Sequence, residues 1–279
     1  MTAHLHDSLA AFISQNEIPA RQRFDLTLLV NKCLTVNFRA PAAALQALLP
    51  GCLTAEEIRD SGMGMLSVCG WDYWITRLGF LPLPEIHCKA LSFRIAVTFR
   101  RSAGIIRAFY PLRTMTTAPI GKWPNGRERR DVPQLDLEDS GEFYGLSRQS
   151  RDPLQRDYLE GDMKTVSKAG AAGSIFHDIN EAARFILAHE GSCAYDAGKK
   201  QLLFQPIIYP PWEICFCHEF QHRFPWLQHL CADAGIQIIA DSALFSEEAV
   251  QVWKKTRFLA PAALTRPALN TAAVGALQG

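Results

Sequence analysis

The chain has no run of about 18 apolar residues, so no helix able to cross a bilayer is expected. Its opening Met1-Thr-Ala-His-Leu-His-Asp7 lacks the basic flank and apolar core of a secretory signal. Together these predict a cytoplasmic protein without a membrane partner. Charge of one sign is also missing. With 29 Lys and Arg against 28 Asp and Glu, the net charge is +1, which argues against a nucleic-acid surface. The densest basic run, Arg127-Glu-Arg-Arg-Asp131, is broken by acids beside Asn125-Gly126 and reads as a solvated loop. No Gly-x-Ser-x-Gly elbow for a nucleophilic serine occurs. Gly62-Met-Gly64 and Gly170-Ala-Ala-Gly173 lack the lysine or the strand–helix context of a phosphate cradle. Internal repeats and an obvious linker are absent too, which favours one domain. Eight cysteines spread from Cys33 to Cys231 without a secretory signal read as free thiols rather than a disulfide framework.

What the chain does have is strand alternation. In Leu91-Ser-Phe-Arg-Ile-Ala-Val-Thr-Phe99, the residues Leu91, Phe93, Ile95, Val97 and Phe99 recur at period two and share one face of an extended strand. The other face carries Ser92, Arg94, Ala96 and Thr98. A guanidinium is always charged and presents five donors, so an enclosed Arg94 needs an anionic or carbonyl partner. On that ground Arg94 is a candidate anchor for a carboxylate ligand; facing water, it is an ordinary surface charge.

Around this strand the sequence reads as mainly β. Strands are expected over Leu26–Phe38, Met63–Leu78 (one or two), Ile105–Leu112, Phe143–Arg151, Leu154–Val166, Ser192–Tyr195, Leu202–Tyr209, Trp212–Phe220, Ile236–Leu244 and Val250–Phe258. Short helices are expected over Ala42–Leu49 with Pro41 at its first turn, over Ile179–Ala188 capped by Ser174 or Asp178, and near Trp226–Asp233. Residues 118–140, rich in Pro and Gly, are long for a loop and suggest a lid. The expected domains are an N-terminal arm over 1–20, one domain over 21–259, and a disordered tail over 260–279. The expected fold class is α+β, mainly β: an antiparallel incomplete barrel or β-cone with a few short flanking helices.

Three motifs add a family resemblance covering about residues 24–258. They are Leu48-Leu-Pro-Gly51 after a short helix, the strand Leu91-Ser-Phe-Arg-Ile-Ala-Val97, and Phe185-Ile-Leu-Ala-His-Glu-Gly-Ser-Cys-Ala-Tyr195 followed by a hairpin and Pro210-Pro-Trp212. Their order resembles the YqjF-like proteins, an uncharacterised family of the acetoacetate decarboxylase-like superfamily. The resemblance implies a cone-like barrel around an apolar pocket. In the superfamily's decarboxylases a pocket lysine forms a Schiff base with a β-keto acid, which requires a neutral amine whose pKa is lowered by burial or by a neighbouring cation. This sequence departs from the pattern. Ser92 and Ala96 stand where the family strand has Asn and Tyr, and only Arg94 carries over. The Lys-Lys pairs at Lys199-Lys200 and Lys254-Lys255 do not match the mid-chain lysine motif, which leaves Lys122 in Ile120-Gly-Lys-Trp-Pro124 as the catalytic candidate.

Arg107 and Arg113 share a parity on the strand expected to pair with that of Arg94, and could join it in an anion-attracting patch with an acid nearby, Asp72, Glu142 or Asp157. Trp71, Trp74 and Tyr110 are the aromatic candidates for the pocket wall; alternation puts Trp71 and Trp74 on opposite faces. Cys215, Cys217, His218, His222, His229 and Cys231 gather metal-binding residue types, but Cys215 and Cys217 share a strand face that excludes His218, and the interleaved aromatics read as packing, so no metal or cofactor is expected. The leading expectation is a binder of a small, apolar, carboxylate-bearing molecule that could form homo-oligomers. Two alternatives stand beside it: a lyase acting through an imine at Lys122, and a non-catalytic interaction protein with a structural metal.

Overall fold

The computed structural model describes residues 23–101, 104–118, 134–150, 155–209 and 212–259. The N-terminal arm over 1–20, Lys122 with most of the suggested lid, and the tail over 260–279 lie outside the described residues.

The first half of the fold is a meander of long antiparallel strands. β1 (Leu26–Pro41) alternates Leu34, Val36 and Phe38 on one face with Cys33, Thr35 and Asn37 on the other. Pro41 then opens the short helix α1 (Ala42–Leu45), which continues as a 3-10 turn over Gln46–Leu48. There follow β2 (Thr54–Ala55), β3 (Met63–Leu78), β4 (Leu81–Arg101) and β5 (Gly104–Thr116). The smaller elements come next: β6 (Leu135–Asp139), β7 (Phe143–Arg148), β8 (Tyr158–Asp162) and β9 (Val166–Ser167). Helix α2 (Ile179–Leu187) starts at Asp178, whose carboxylate accepts from the Glu181 N–H. The chain ends in β10 (Gly191–Asp196), β11 (Gln201–Ile208), β12 (Cys215–Cys217), β13 (Phe220–Arg223), α3 (Pro225–Asp233), β14 (Ile239–Trp253) and β15 (Arg257–Leu259).

Eleven strands form one sheet in the order β15-β11-β10-β5-β4-β3-β1-β14-β12-β9, with β2 beside β4. The sheet curls until the end of β11 meets β14 at Ile207 and Ile208, without closing into a regular barrel. A second sheet, β13-β8-β7-β6, covers part of one face. This is the expected fold class.

The large sheet has two buried faces. On one, Leu91, Phe93, Ile95, Val97 and Phe99 are all at most 1% exposed and pack with Leu34, Val36, Phe38, Leu66 and Val68 beneath the small sheet and α3. Gly70 sets that approach: a Cβ there would meet Leu159 Cδ2 at 3.0 Å and Leu146 Cβ at 3.3 Å. The opposite face carries two apolar clusters, one with Trp71, Tyr73, Cys33 and Cys69, the other with Ala96, Phe109, Phe216 and Leu244 under α2.

Three expected elements are redrawn. Residues 212–220 hold only the three-residue β12, because the chain bends at His218-Glu219 and crosses to the small sheet as β13. Residues 236–244 and 250–258 do not form two separate strands. The single long β14 runs through Glu248, whose φ of 52° marks an irregularity rather than a turn. Leu135–Asp139, inside the stretch read as irregular, is a strand paired with β7.

Candidate functional site

β4 turns Arg94 away from the Phe93 core and onto the α2 side of the sheet. Its ladder neighbours there are Ser67 on β3 and Pro111 on β5. A row of small polar side chains runs outward from it. Ser67 Oγ donates to Asn37 Oδ1 at 2.7 Å, and Asn37 Nδ2 donates to Ser242 Oγ at 3.3 Å. One row along, Thr35 Oγ1 donates to Cys69 Sγ at 3.2 Å. Such residues satisfy one another and fill little space, so a narrow cavity of about 20 Å³ remains above them. That is room for about one water. Its floor and walls include Cys33, Thr35, Trp71 and Arg94 from the sheet and Ser246 and Gln251 from β14. Ile186 of α2 and Tyr209, Trp212 and Ile214, from the chain after β11, close it.

The electrostatics of this cleft are one-sided. The guanidinium of Arg94 rests on the Phe109 ring, its Cζ 3.8 Å from the centroid. Among the described residues Arg94 forms no ion pair, and its buried Nε has no hydrogen-bond acceptor. Nε1 of Trp71 and Nε1 of Trp212 are buried without an acceptor in the same way. Burial pushes the Tyr209 phenol up to about 12 against the pull of Arg94. Burial, with help from Cys69, likewise pushes the Cys33 thiol up to about 12 while Thr35, Arg94 and Ser246 pull it back. Both groups are therefore neutral near pH 7. No acid and no lysine is among the described lining residues. Three of the residues that line the cleft, one of them its cation, thus carry buried N–H donors with no acceptor among the described residues.

The sequence candidates separate accordingly. Trp71 joins Arg94 in the cleft. Trp74 lies on the opposite face, stacked on His87 with centroids 4.5 Å apart, while His87 Nε2 contacts the buried Asp72 carboxylate. The shared parity of Arg107 and Arg113 is broken by a bulge. Phe93 pairs with Arg113 but Arg94 pairs with Pro111, so Leu112 is the extra residue and Arg113 emerges on the Phe93 side. Its Cζ lies 5.2 Å from the Trp226 ring centroid, with Arg148 and Asp157 nearby. Arg107 stays on the Arg94 side, where its Nε meets Glu56 Oε1 at 3.0 Å. Tyr110 pairs with Ile95 and is buried on the core face. Of the acids expected beside the arginines, Asp72 holds His87, Glu142 pairs with Lys164 and Asp157 faces Arg148; none reaches Arg94.

The sequence reading did not single out Tyr209, Ile186 or Gln251, which approach from distant parts of the chain. Cys33, Thr35 and Asn37 did carry a signal: they alternate against Leu34, Val36 and Phe38 and so mark a second, polar strand face. The metal-type residues are dispersed. His218 Nε2 lies 2.9 Å from Ser167 Oγ, His222 is stacked between Phe220 and Phe224, and Cys231 is in the core. Among the described residues no group of three or more His, Cys, Asp or Glu could hold a metal ion, and no helix is long and apolar enough to cross a membrane.

The fold has relatives among solved structures. An acetoacetate decarboxylase-like enzyme from Sphingomonas wittichii RW1 aligns over 84% of this chain and 92% of its own, with 16% identity and a TM-score of 0.51. The enduracididine biosynthesis enzyme MppR complexed with pyruvate aligns over 84% and 90%, with 10% identity and a TM-score of 0.52. No protein-family model and no curated protein matches the chain. The architecture is therefore acetoacetate decarboxylase-like.

Proposed function

We propose that this chain binds a small carboxylate-bearing molecule in the Arg94 cleft, with Arg94 as anchor and the indole N–H groups of Trp71 and Trp212 as further donors. The observation that carries this is the set of three buried donors without acceptors among the described residues. A buried donor left unpaired costs about 1–3 kcal/mol, more when charged, so a site that keeps three together is complementary to an acceptor-rich anion. A carboxylate offers about four lone-pair sites and the opposite charge. The cavity as it stands has room for about one water, so a pyruvate-sized ligand enters only as Ile186, Tyr209 and Trp212, which close it, move outward; the apolar rings then face its short carbon skeleton. MppR, which shares the fold, is complexed with pyruvate, a molecule of this chemical class. Kinship with the YqjF-like proteins is part of the same proposal, supported by the motif order around Arg94 and Trp212.

Calorimetric titration of the full chain with pyruvate and propionate, against their neutral amides, tests the reading. We expect the acids to bind at least about tenfold more tightly than the amides, and Arg94→Gln to remove that preference. Equal binding of acid and amide, or an unchanged Arg94→Gln, would overturn it. Borohydride reduction in the presence of pyruvate, followed by peptide mapping, adds the enzymatic arm; an adduct on Lys122 would convert the binder into an imine-forming enzyme.

A further inference from the structure

Behind Arg94, away from the cleft, lies a buried histidine that the binding reading does not use. His189 follows α2 and is fully buried, with 0% of its side chain exposed. Its imidazole stacks on Phe109 with centroids 4.1 Å apart and planes 17° from parallel. The same Phe109 ring carries Arg94. Two groups this close to one centroid cannot share a face without overlapping, so Phe109 is sandwiched between the guanidinium and the imidazole.

The proton inventory of His189 follows from its neighbours. Nδ1 lies 2.7 Å from the carbonyl oxygen of Phe185, which can only accept, so Nδ1 carries a hydrogen. Nε2 lies 2.9 Å from Glu56 Oε2, in a bent contact that satisfies neither atom's hydrogen-bond direction. The carboxylate and the Phe185 carbonyl thus brace the imidazole at its two nitrogens. Arg107 Nε holds the other carboxylate oxygen, Oε1, at 3.0 Å.

Backbone hydrogen bonds tie Glu56, and Glu190 next to His189, to the strands that present Arg94 and Phe109. The Glu56 N–H donates to Ala96 O at 3.0 Å, and the Glu190 N–H donates to Arg107 O at 2.9 Å. Ala96 itself sits across the ladder from Phe109, and its single methyl group leaves the ring space to lie flat beneath the diagonal reach of Arg94.

We propose that Glu56, His189 and Phe109 are positioning residues for Arg94: the buried pair fixes the imidazole, the imidazole fixes the ring, and the ring holds the guanidinium towards the cleft. The proposal rests on the reading of the cleft as a carboxylate site. It assigns a purpose to a buried carboxylate–imidazole contact that neither reaches the cleft nor belongs to the main core.

A double-mutant cycle read with pyruvate tests it in the full chain. Phe109→Leu and His189→Gln are each expected to weaken pyruvate binding about tenfold, and the double variant no further than either single one. Phe109→Tyr keeps the ring and should restore binding. Independent, additive losses, or single variants that fold and bind as the wild type does, would overturn the proposal. A ligand-free readout separates its failure from that of the carboxylate reading. The Arg94 Nε–H resonance, identified by its loss in Arg94→Lys, should lie upfield under the Phe109 ring current and move in His189→Gln. If pyruvate does not bind but this resonance moves, positioning stands and the carboxylate reading fails. An unmoved resonance overturns the positioning role whatever pyruvate does.

Discussion

Replacing Arg94 with methionine should make this protein more stable. Methionine keeps the length and apolar stem of the arginine and fills irregular space, but removes the charge and the buried Nε that has no acceptor. Relief of that unpaired donor is worth about 1–3 kcal/mol. Against it stands the lost stacking of the guanidinium on Phe109, about 0.5–2 kcal/mol. The balance is a gain of roughly 1 kcal/mol, or about 2–4 °C in Tm for a chain of this size. Urea unfolding with an unchanged m-value would show it as a later midpoint. A destabilisation of more than about 1 kcal/mol would refute the reasoning, because it would mean that Arg94 makes a structural bond. The same variant should no longer distinguish pyruvate from its amide. A residue whose removal raises stability and abolishes recognition is one held for function.

Other perturbations probe the frame around the cleft. Phe93 is fully buried against Phe224 and Trp226, so Phe93→Ala should lose about 3–5 kcal/mol in urea unfolding. Gly191→Ala drives a Cβ into the backbone carbonyl of Gln205 on the paired β11, which cannot move aside; a loss of about 3 kcal/mol is expected, visible as early thermal unfolding. Burial lowers the pKa of His222 below its ordinary 6.5, so the folded state refuses a proton that the unfolded chain accepts. Its contribution is present above that value and is lost as pH falls below it. The urea midpoint should therefore decline between about pH 7 and pH 5, and decline less in His222→Phe. Trp71→Phe keeps a ring against Tyr73 and Trp253 while deleting one unpaired donor, and should weaken pyruvate binding with little change in stability.

Much of the frame is legible in the sequence because it follows from period-two alternation. β4 is the clearest case: its five apolar residues are all buried and Arg94 emerges on the other side. The cap at Asp178 and the helix over Pro225–Asp233 follow from capping and proline signals. Parity fails at one residue in register. The bulge at Leu112 carries Arg113 to the far face; Pro111, which has no N–H to give the ladder, is its one local mark, and period-two parity alone passes over it. The division of 212–223 into β12 and β13 is equally hidden, since the pattern of a strand does not say which sheet it joins. The cleft is half legible. The polar face of β1 and Arg94 can be read locally, but the closing residues Ile186, Tyr209 and Gln251 meet them only through the curl of the sheet. Glu56 and His189 lie 133 positions apart in the numbering, and the backbone ties of Glu56 to β4 and of the adjacent Glu190 to β5 are announced by no local pattern.

The most direct test of the central claim is a crystal structure of the chain soaked with pyruvate. The account predicts carboxylate density within hydrogen-bond distance of Arg94 Nε and the Trp71 or Trp212 indole N–H, with Phe109 still beneath the guanidinium. Pyruvate bound elsewhere, with Arg94 turned to another protein acceptor, would contradict it.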